Sequence, residues 1–362
     1  MVNIATPAHH GNKSGRVDYW DAVRGIAIFC VIVIHAIGSA WYFVNDNSGA
    51  ENLYFLVSLR QVVAFAVPVF LFMSGYFLRD VVIHDFPDYI AFLRKRLVRI
   101  LVPYLLWSFV YIGYTALSTW VYPSILSVFT TLLLGQASGP FYFILLICQF
   151  YILLPLFLFL RKSTFGFVSV CILNILGIVA LYAYTLITGS SPSLVCYGVP
   201  FFMWMIYFMI GINANKIYTY LRTPAIVITL VITLIIAVIE SLYLMHISGE
   251  NTVFATSSVR LGSMLYTIPI ILLVLKLSKS RWSIPGKLVH LGHYSFGIYF
   301  IHMLILTFTS QFITTVPFIT AHPMLYSIIL TILTTVSCYA IGTVINRLLP
   351  RNFTKLYLGF GA

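Results

Sequence analysis

The chain has 362 residues, of which 60% are apolar and only 8% charged. A soluble globular chain carries about 25% charged residues, so this composition excludes a soluble fold and points to a polytopic membrane protein. The formal net charge of +12 would suggest nucleic acid in a soluble chain, but here the placement of the basic residues makes it a matter of topology, and no nucleic-acid partner is expected.

A helix needs roughly 20 apolar residues to cross the hydrocarbon. In chain order, ten segments answer to that length: about 22–42, 53–78, 99–120, 141–160, 165–187, 199–218, 224–245, 258–277, 293–312 and 324–349. The first run, Ala22 to Tyr42, is too long for a signal h-region and is followed by no small-residue cleavage motif, so it reads as a retained helix. Ser124 to Leu134 is apolar but short, which predicts an interfacial or re-entrant piece. The chain thus reads as one all-α transmembrane domain over 1–362, with no soluble C-terminal domain. The cysteines Cys30, Cys148, Cys171, Cys196 and Cys338 lie in or beside apolar runs. They have no metal-ligand spacing, so neither a metal site nor a disulfide framework is expected.

The loops test the count. With a cytoplasmic N-terminus, the inner segments hold 19 of the 21 basic residues and the outer loops hold none. An odd miscount of helices would destroy that split, so both termini are predicted to be cytoplasmic. Arg60 and Arg260 are the two exceptions, a few residues inside the outer ends of their helices. Glu240 sits at comparable depth. Intramembrane charge is costly. These three residues are either a structural pair with a bystander or the lining of one outward-facing cavity for a hydrophilic acceptor. In the second case Glu240 pairs with one arginine and the other meets the acceptor.

In "RGIAIFCVIVIHAIG" (24–38), Arg24 starts an apolar run and His35 lies inside it. Eleven residues are about 16 Å of rise and close to three whole turns, so the two share a face, Arg24 at the cytoplasmic boundary and His35 near the midplane. His35 is either a hydrogen-bonded packing residue or a neutral imidazole acting as a base. His302, in "SFGIYFIH", lies at similar depth and is placed to face or orient it. Asp21, three residues before Arg24, can hold its guanidinium. The inner stretch "AFLRKRLVRILVPYLLW" packs Arg94, Lys95, Arg96 and Arg99 into six positions. Anionic lipid accounts for some of that charge. Arg94, Arg96 and Arg99 also suit multidentate phosphate binding, and coenzyme A is such a ligand.

Taken in order, these stretches resemble the membrane acyltransferase-3 family. Arg24 and His35 match its first-helix R-x10-H signature. "VPVFLFMSGYF" (67–77), "RKRLVRILVPYLLW" (94–107), "GPFYFILLICQFYILLP" (139–155) and "LGHYSFGIYFIH" (291–302) resemble its later motifs. One departure is Phe141, Tyr142, Phe143 where relatives often carry a tryptophan. The resemblance implies acyl transfer, usually acetyl, from cytoplasmic acyl-CoA to a cell-envelope carbohydrate or lipid-linked sugar, in a bacterial inner membrane. Acyl-CoA is then a co-substrate, and no permanently bound cofactor is expected. His35 and Arg24 become the catalytic candidates, supported by Asp21 and His302. His35 serves as general base or as acyl carrier in a tunnel. A glycan exporter without chemistry is the rival reading, since ten helices and buried charges serve that too. It needs no basic cluster below a midplane imidazole, and the last five helices do not repeat the first five.

Overall fold

In hydrocarbon the backbone must satisfy its own polar groups, and the apolar runs accordingly fold as helices. The computed structural model describes residues 13–44, 50–217, 223–247, 252–279 and 284–361; Arg222 and Arg281 of the inner basic set lie outside them. Helix α1 spans Lys13–Ala40, followed by α2 (Ala50–Val63), α3 (Ala66–Leu78) and the 34-residue α4 (Phe86–Thr119). Next come α5 (Ile125–Leu134), α6 (Tyr142–Ile152), α7 (Leu154–Leu160) and α8 (Thr164–Thr188). Three short pieces, α9 (Leu194–Gly198), α10 (Met205–Ile212) and α11 (Ala214–Ile217), precede α12 (Thr223–Ile247). The chain continues through α13 (Thr252–Ala255), α14 (Leu261–Leu277), α15 (Gly286–His293) and α16 (Ser295–Ile313). It continues with α17 (Pro317–Thr320), α18 (Pro323–Leu348), α19 (Arg351–Phe353) and a π-helical turn at Thr354–Leu358. Among the described residues there is no strand. The protein is a polytopic all-α membrane protein.

Among the described residues, seven helical segments are long and apolar enough to cross a membrane, and Ile125–Leu134 with Gly139–Ile152 is an eighth candidate bent by 60°. The expected segments at 199–218 and 258–277 are helical but not continuous full-length spans. The former is broken into α10 and α11, and all eight residues of α10 are buried, so it is an internal piece. Leu261–Leu277 has 17 residues. The fourth expected segment, 141–160, breaks at Leu153, because Pro155 in the first turn of α7 has no N–H to continue the ladder. Capping follows the sequence: Asp85 accepts from the Asp88 N–H at 2.8 Å, and Ser163 from that of Gly166 at 3.0 Å.

At about 1.5 Å per residue α4 is roughly 51 Å long, some 20 Å more than the hydrocarbon is thick. Its surplus carries Arg94 to Arg99 at the same end as Arg24. Other basic side chains tie the loops there: Arg161 donates to the carbonyl of Arg79, and Lys216 Nζ to that of Arg161 at 3.2 Å.

Two glycine crossings fix the centre. A Cβ on Gly75 of α3 would lie 2.2 Å from the Phe208 carbonyl oxygen, and one on Gly211 of α10 would lie 2.2 Å from that of Phe72. A Cβ on Gly292 of α15 would lie 1.7 Å from the Asp21 carbonyl oxygen on α1, and one on Gly25 would lie 2.4 Å from that of Leu288. Only glycine permits these approaches. Gly75→Val and Gly211→Val are therefore expected to destabilise the protein by about 1–3 kcal/mol or more through forced backbone shifts. Gly113→Ala, where a Cβ meets nothing within 4 Å, should be nearly neutral. Thermal unfolding in detergent compares the three, and equal melting of all of them would remove the close approach from this account.

Candidate active site

The second span is interrupted where it passes the middle of the bundle. Pro68 has no N–H to give the carbonyl of Ala64, four residues earlier. Ser258 Oγ donates to that oxygen instead, at 2.7 Å, and Tyr266 OH donates to the carbonyl of Val62 at 2.9 Å. A tyrosine hydroxyl also docks on the backbone of α16. The hydroxyl of Tyr111 donates to the Phe300 carbonyl at 2.9 Å and accepts from the Leu304 N–H at 3.0 Å, touching both ends of one helical turn.

Between these two places lies a cavity of about 260 Å³. His35 and Arg60 line it, with Tyr142, Tyr197, Tyr299 and Trp204 among the aromatic walls; among the described residues no acid lines it. His302 is fully buried behind His35, with ring centroids 5.3 Å apart. Its Nδ1 lies 2.8 Å from the Tyr299 carbonyl oxygen and 3.1 Å from that of Ile298. Carbonyls only accept, so the network assigns the proton of the neutral ring to Nδ1 and leaves a lone pair on Nε2. That Nε2 is buried without a protein partner. The pair thus offers a half-buried imidazole on the cavity wall and a second one, oriented by backbone, beside it. A hydroxyl bound here can lose a proton to His35.

Arg60 stacks over the Trp41 ring at 4.7 Å, and its buried Nε has no partner. Arg260 has the opposite setting. It is fully buried, pairs with Glu240 at 2.7 Å and donates to Gln61 Oε1 and, at 2.9 Å, to Ser263 Oγ. Glu240 also accepts from Tyr182 OH and from the Gly262 N–H at 3.0 Å. The expectation that Arg60, Glu240 and Arg260 line one cavity is corrected: only Arg60 does. Arg260 is turned away by this network, and its Nε holds the Ser257 carbonyl at 3.1 Å, supporting the 256–259 wall from behind.

Eleven residues along α1 from His35, a second cavity of about 220 Å³ opens at the basic end. Arg24, Arg99 and Lys355 supply its positive charge. Asp21 accepts from Arg24 at 2.5 Å, and its other oxygen lies 3.0 Å from His293 Nε2, an arrangement fixed by the Gly25 and Gly292 crossing. Of the three arginines read as one donor-binding set, only Arg99 lines this cavity. Arg96 lies over the rings of Phe92 and Tyr151, at 5.7 and 5.8 Å, and Arg94 is exposed. At 100° per residue, positions 94 and 96 project to nearly opposite sides of a helix and cannot serve one site.

Sequence reasoning missed His293, Gln61, the three cavity tyrosines and Lys355. Gln61 was detectable as an amide inside an apolar run. His293 sits in the same quoted motif as His302, but its partner Asp21 is 272 positions away. In a chain with 24 tyrosines no spacing singles out Tyr142, Tyr197 or Tyr299.

A multi-pass helical bundle with an imidazole pair at an internal cavity and a cationic pocket below it defines a class of intramembrane enzyme. The comparisons specify the class. The family model described as "Acyltransferase domain" (acyltransferase-3) matches residues 17–343. A chain of Bacillus subtilis (strain 168) that carries the name membrane-bound acyltransferase YfiQ is 27% identical over 319 residues, covering 83% of this chain and 84% of its own. No solved structure matches. The chain belongs to the acyltransferase-3 family and is a membrane acyltransferase.

The two arginines separate experimentally. Arg260→Met leaves the half-buried Glu240 without its cation and is expected to cost about 3 kcal/mol, with Glu240→Gln sharing part of the defect. Arg60→Met removes a charge that pairs with no acid among the described residues and should melt close to the unaltered chain. Differential scanning fluorimetry on the purified variants ranks them, and the reverse order would contradict the assignment.

Proposed function

We propose that this chain transfers an acyl group, acetyl by preference, from cytoplasmic acyl-CoA to a hydroxyl of a cell-envelope carbohydrate such as O-antigen, common antigen or capsule. It does so in a bacterial inner membrane, with ten membrane-crossing segments and both termini in the cytoplasm. The observation that carries the reading is the placement of two sites on one helix. Helix α1 sets Arg24 in a cationic pocket and His35 in an internal cavity, about 16 Å apart along the helix.

The positive-inside rule supports a cytoplasmic basic end. The phosphates of coenzyme A then meet Arg24 and Arg99, and the pantetheine arm runs along α1 towards His35, so that the nucleotide need not cross. The two cavities share no lining residue, so the arm has to part the side chains between them. In one route His35 takes the proton of the sugar hydroxyl as the oxygen attacks the thioester carbonyl. The C–S bond breaks and the thiolate recovers that proton from the imidazolium. In the other, His35 accepts the acyl group and passes it on. His302 is a positioning residue in either route, its Nε2 available to a ring N–H of His35. Arg60, unpaired with any acid in the cavity, faces the acceptor's hydroxyls or an acidic group on it.

Mass spectrometry of envelope glycan from cells with and without the gene should show one acyl-sized difference. His35→Ala should lower transfer on the order of 10²–10⁴-fold while the protein remains in the membrane at normal level. Arg60→Ala should impair transfer and leave coenzyme A binding intact. Near-normal acylation by His35→Ala would make the histidine a packing residue. A purified chain that binds no coenzyme A would favour an exporter instead.

A further inference from the structure

The cationic pocket is closed by a segment that the family match does not reach. That match ends at residue 343, yet Lys355, Gly359 and Gly361 all line the pocket beside Arg24, Arg99 and His293. The segment is built into the bundle. Phe360 is fully buried, and its ring occupies a socket made by two glycines. A Cβ on Gly297 would lie 2.4 Å from the ring, and one on Gly342 would lie 2.8 Å from it. Gly359, at φ +77°, makes the left-handed turn that points Phe360 inward. The Phe360 N–H donates to the Thr354 carbonyl at 3.0 Å, and Trp107 Nε1 on α4 donates to that of Leu358 at 3.3 Å. Thr354 is itself buried and bonded to Asn346 at 3.3 Å.

We infer that residues 351–361 form a wall of the donor site, with Lys355 as a further phosphate-binding residue held in place by the Phe360 socket. The inference rests on the donor reading above and adds to it a residue outside the family's matched region. The charge pattern is the reason. Among the described residues Asp21 is the one acid lining the pocket, and it is already engaged by Arg24 and His293. Arg24, Arg99 and Lys355 come from three segments far apart in sequence and converge on about 220 Å³. Such convergence fits a ligand bearing several negative charges in a compact group, as the phosphate ester and diphosphate of coenzyme A do. A lysine adds a compact point charge to the planar forks of the two arginines.

The test is coenzyme A binding by calorimetry to the full chain in nanodiscs. Lys355→Met keeps the stem and removes the charge, and should weaken binding about ten-fold or more, as expected for one lost charge-assisted contact. Lys287→Met, an equally basic-end residue that does not line the pocket, should stay within about two-fold, the loss of a surface charge being small. Phe360→Ala, with its melting temperature recorded in parallel, should weaken binding at least as much as Lys355→Met by releasing the segment. Unchanged affinity in Lys355→Met would overturn the role of the segment while leaving the donor reading in place. Failure of the unaltered chain to bind coenzyme A would overturn the donor reading and this inference together.

Discussion

A carbonyl freed from its helix inside a membrane finds no water, and it persists only where a side chain reaches it. This constraint organises the centre of the protein. The Ala64 carbonyl, orphaned by Pro68, is held by Ser258, and the Tyr111 hydroxyl bonds both the Phe300 carbonyl and the Leu304 N–H of α16. Ala64 and Ser258 both line the cavity, and both contacts are made by hydroxyls from distant segments. The polar interior is therefore not a hole left by poor packing. It exists because irregular backbone is tolerated there, and Arg60 and His302 stand within a turn or two of the irregularities.

Charge obeys the same rule with two outcomes. Arg260 is surrounded by Glu240, Gln61, Ser263 and the Ser257 carbonyl, so its guanidinium has little left to offer a ligand. Arg60, one position before Gln61, is turned to the other side of the same helix and meets an aromatic face. Neighbouring positions on α2 thus separate support from contact: Gln61 fastens the wall, and Arg60 faces the space the wall encloses.

The polytopic helical class was legible in composition, because apolar runs of that length have no other home. The shared face of Arg24 and His35 was legible too, since both lie on one helix and its period is fixed. Where a reading needed two helices in register it went only part of the way. The spacing in α4 gave a basic cluster, yet Arg94 turns away from Arg99 by simple rotation, and Arg96, on the same face as Arg99, lies over the rings of Phe92 and Tyr151 instead of in the pocket. Glu240 was matched to an arginine by depth, but depth says nothing of which side a guanidinium turns to, and Arg260 turns away from the cavity. The pairing of Asp21 with His293 depends on two glycines that let α1 and α15 touch, a fact about approach distance that single-chain patterning does not carry.

The crossing of α3 and α10 bears on how an acceptor gets in. Gly75 and Gly211 bring backbone against backbone, with no side chain between. A seam of that kind has no rotamers to rearrange, so it cannot widen by small local motions; the two helices travel as one block. Other parts of the cavity lining come from short pieces, Leu194 and Tyr197 of α9 and Val253 of α13. These pieces are four or five residues long, too short to hold themselves rigid by their own hydrogen bonds. The heavy pair of helices is thus the fixed jamb of the cavity, and these light pieces keep their place in its lining only through the neighbours they lean on.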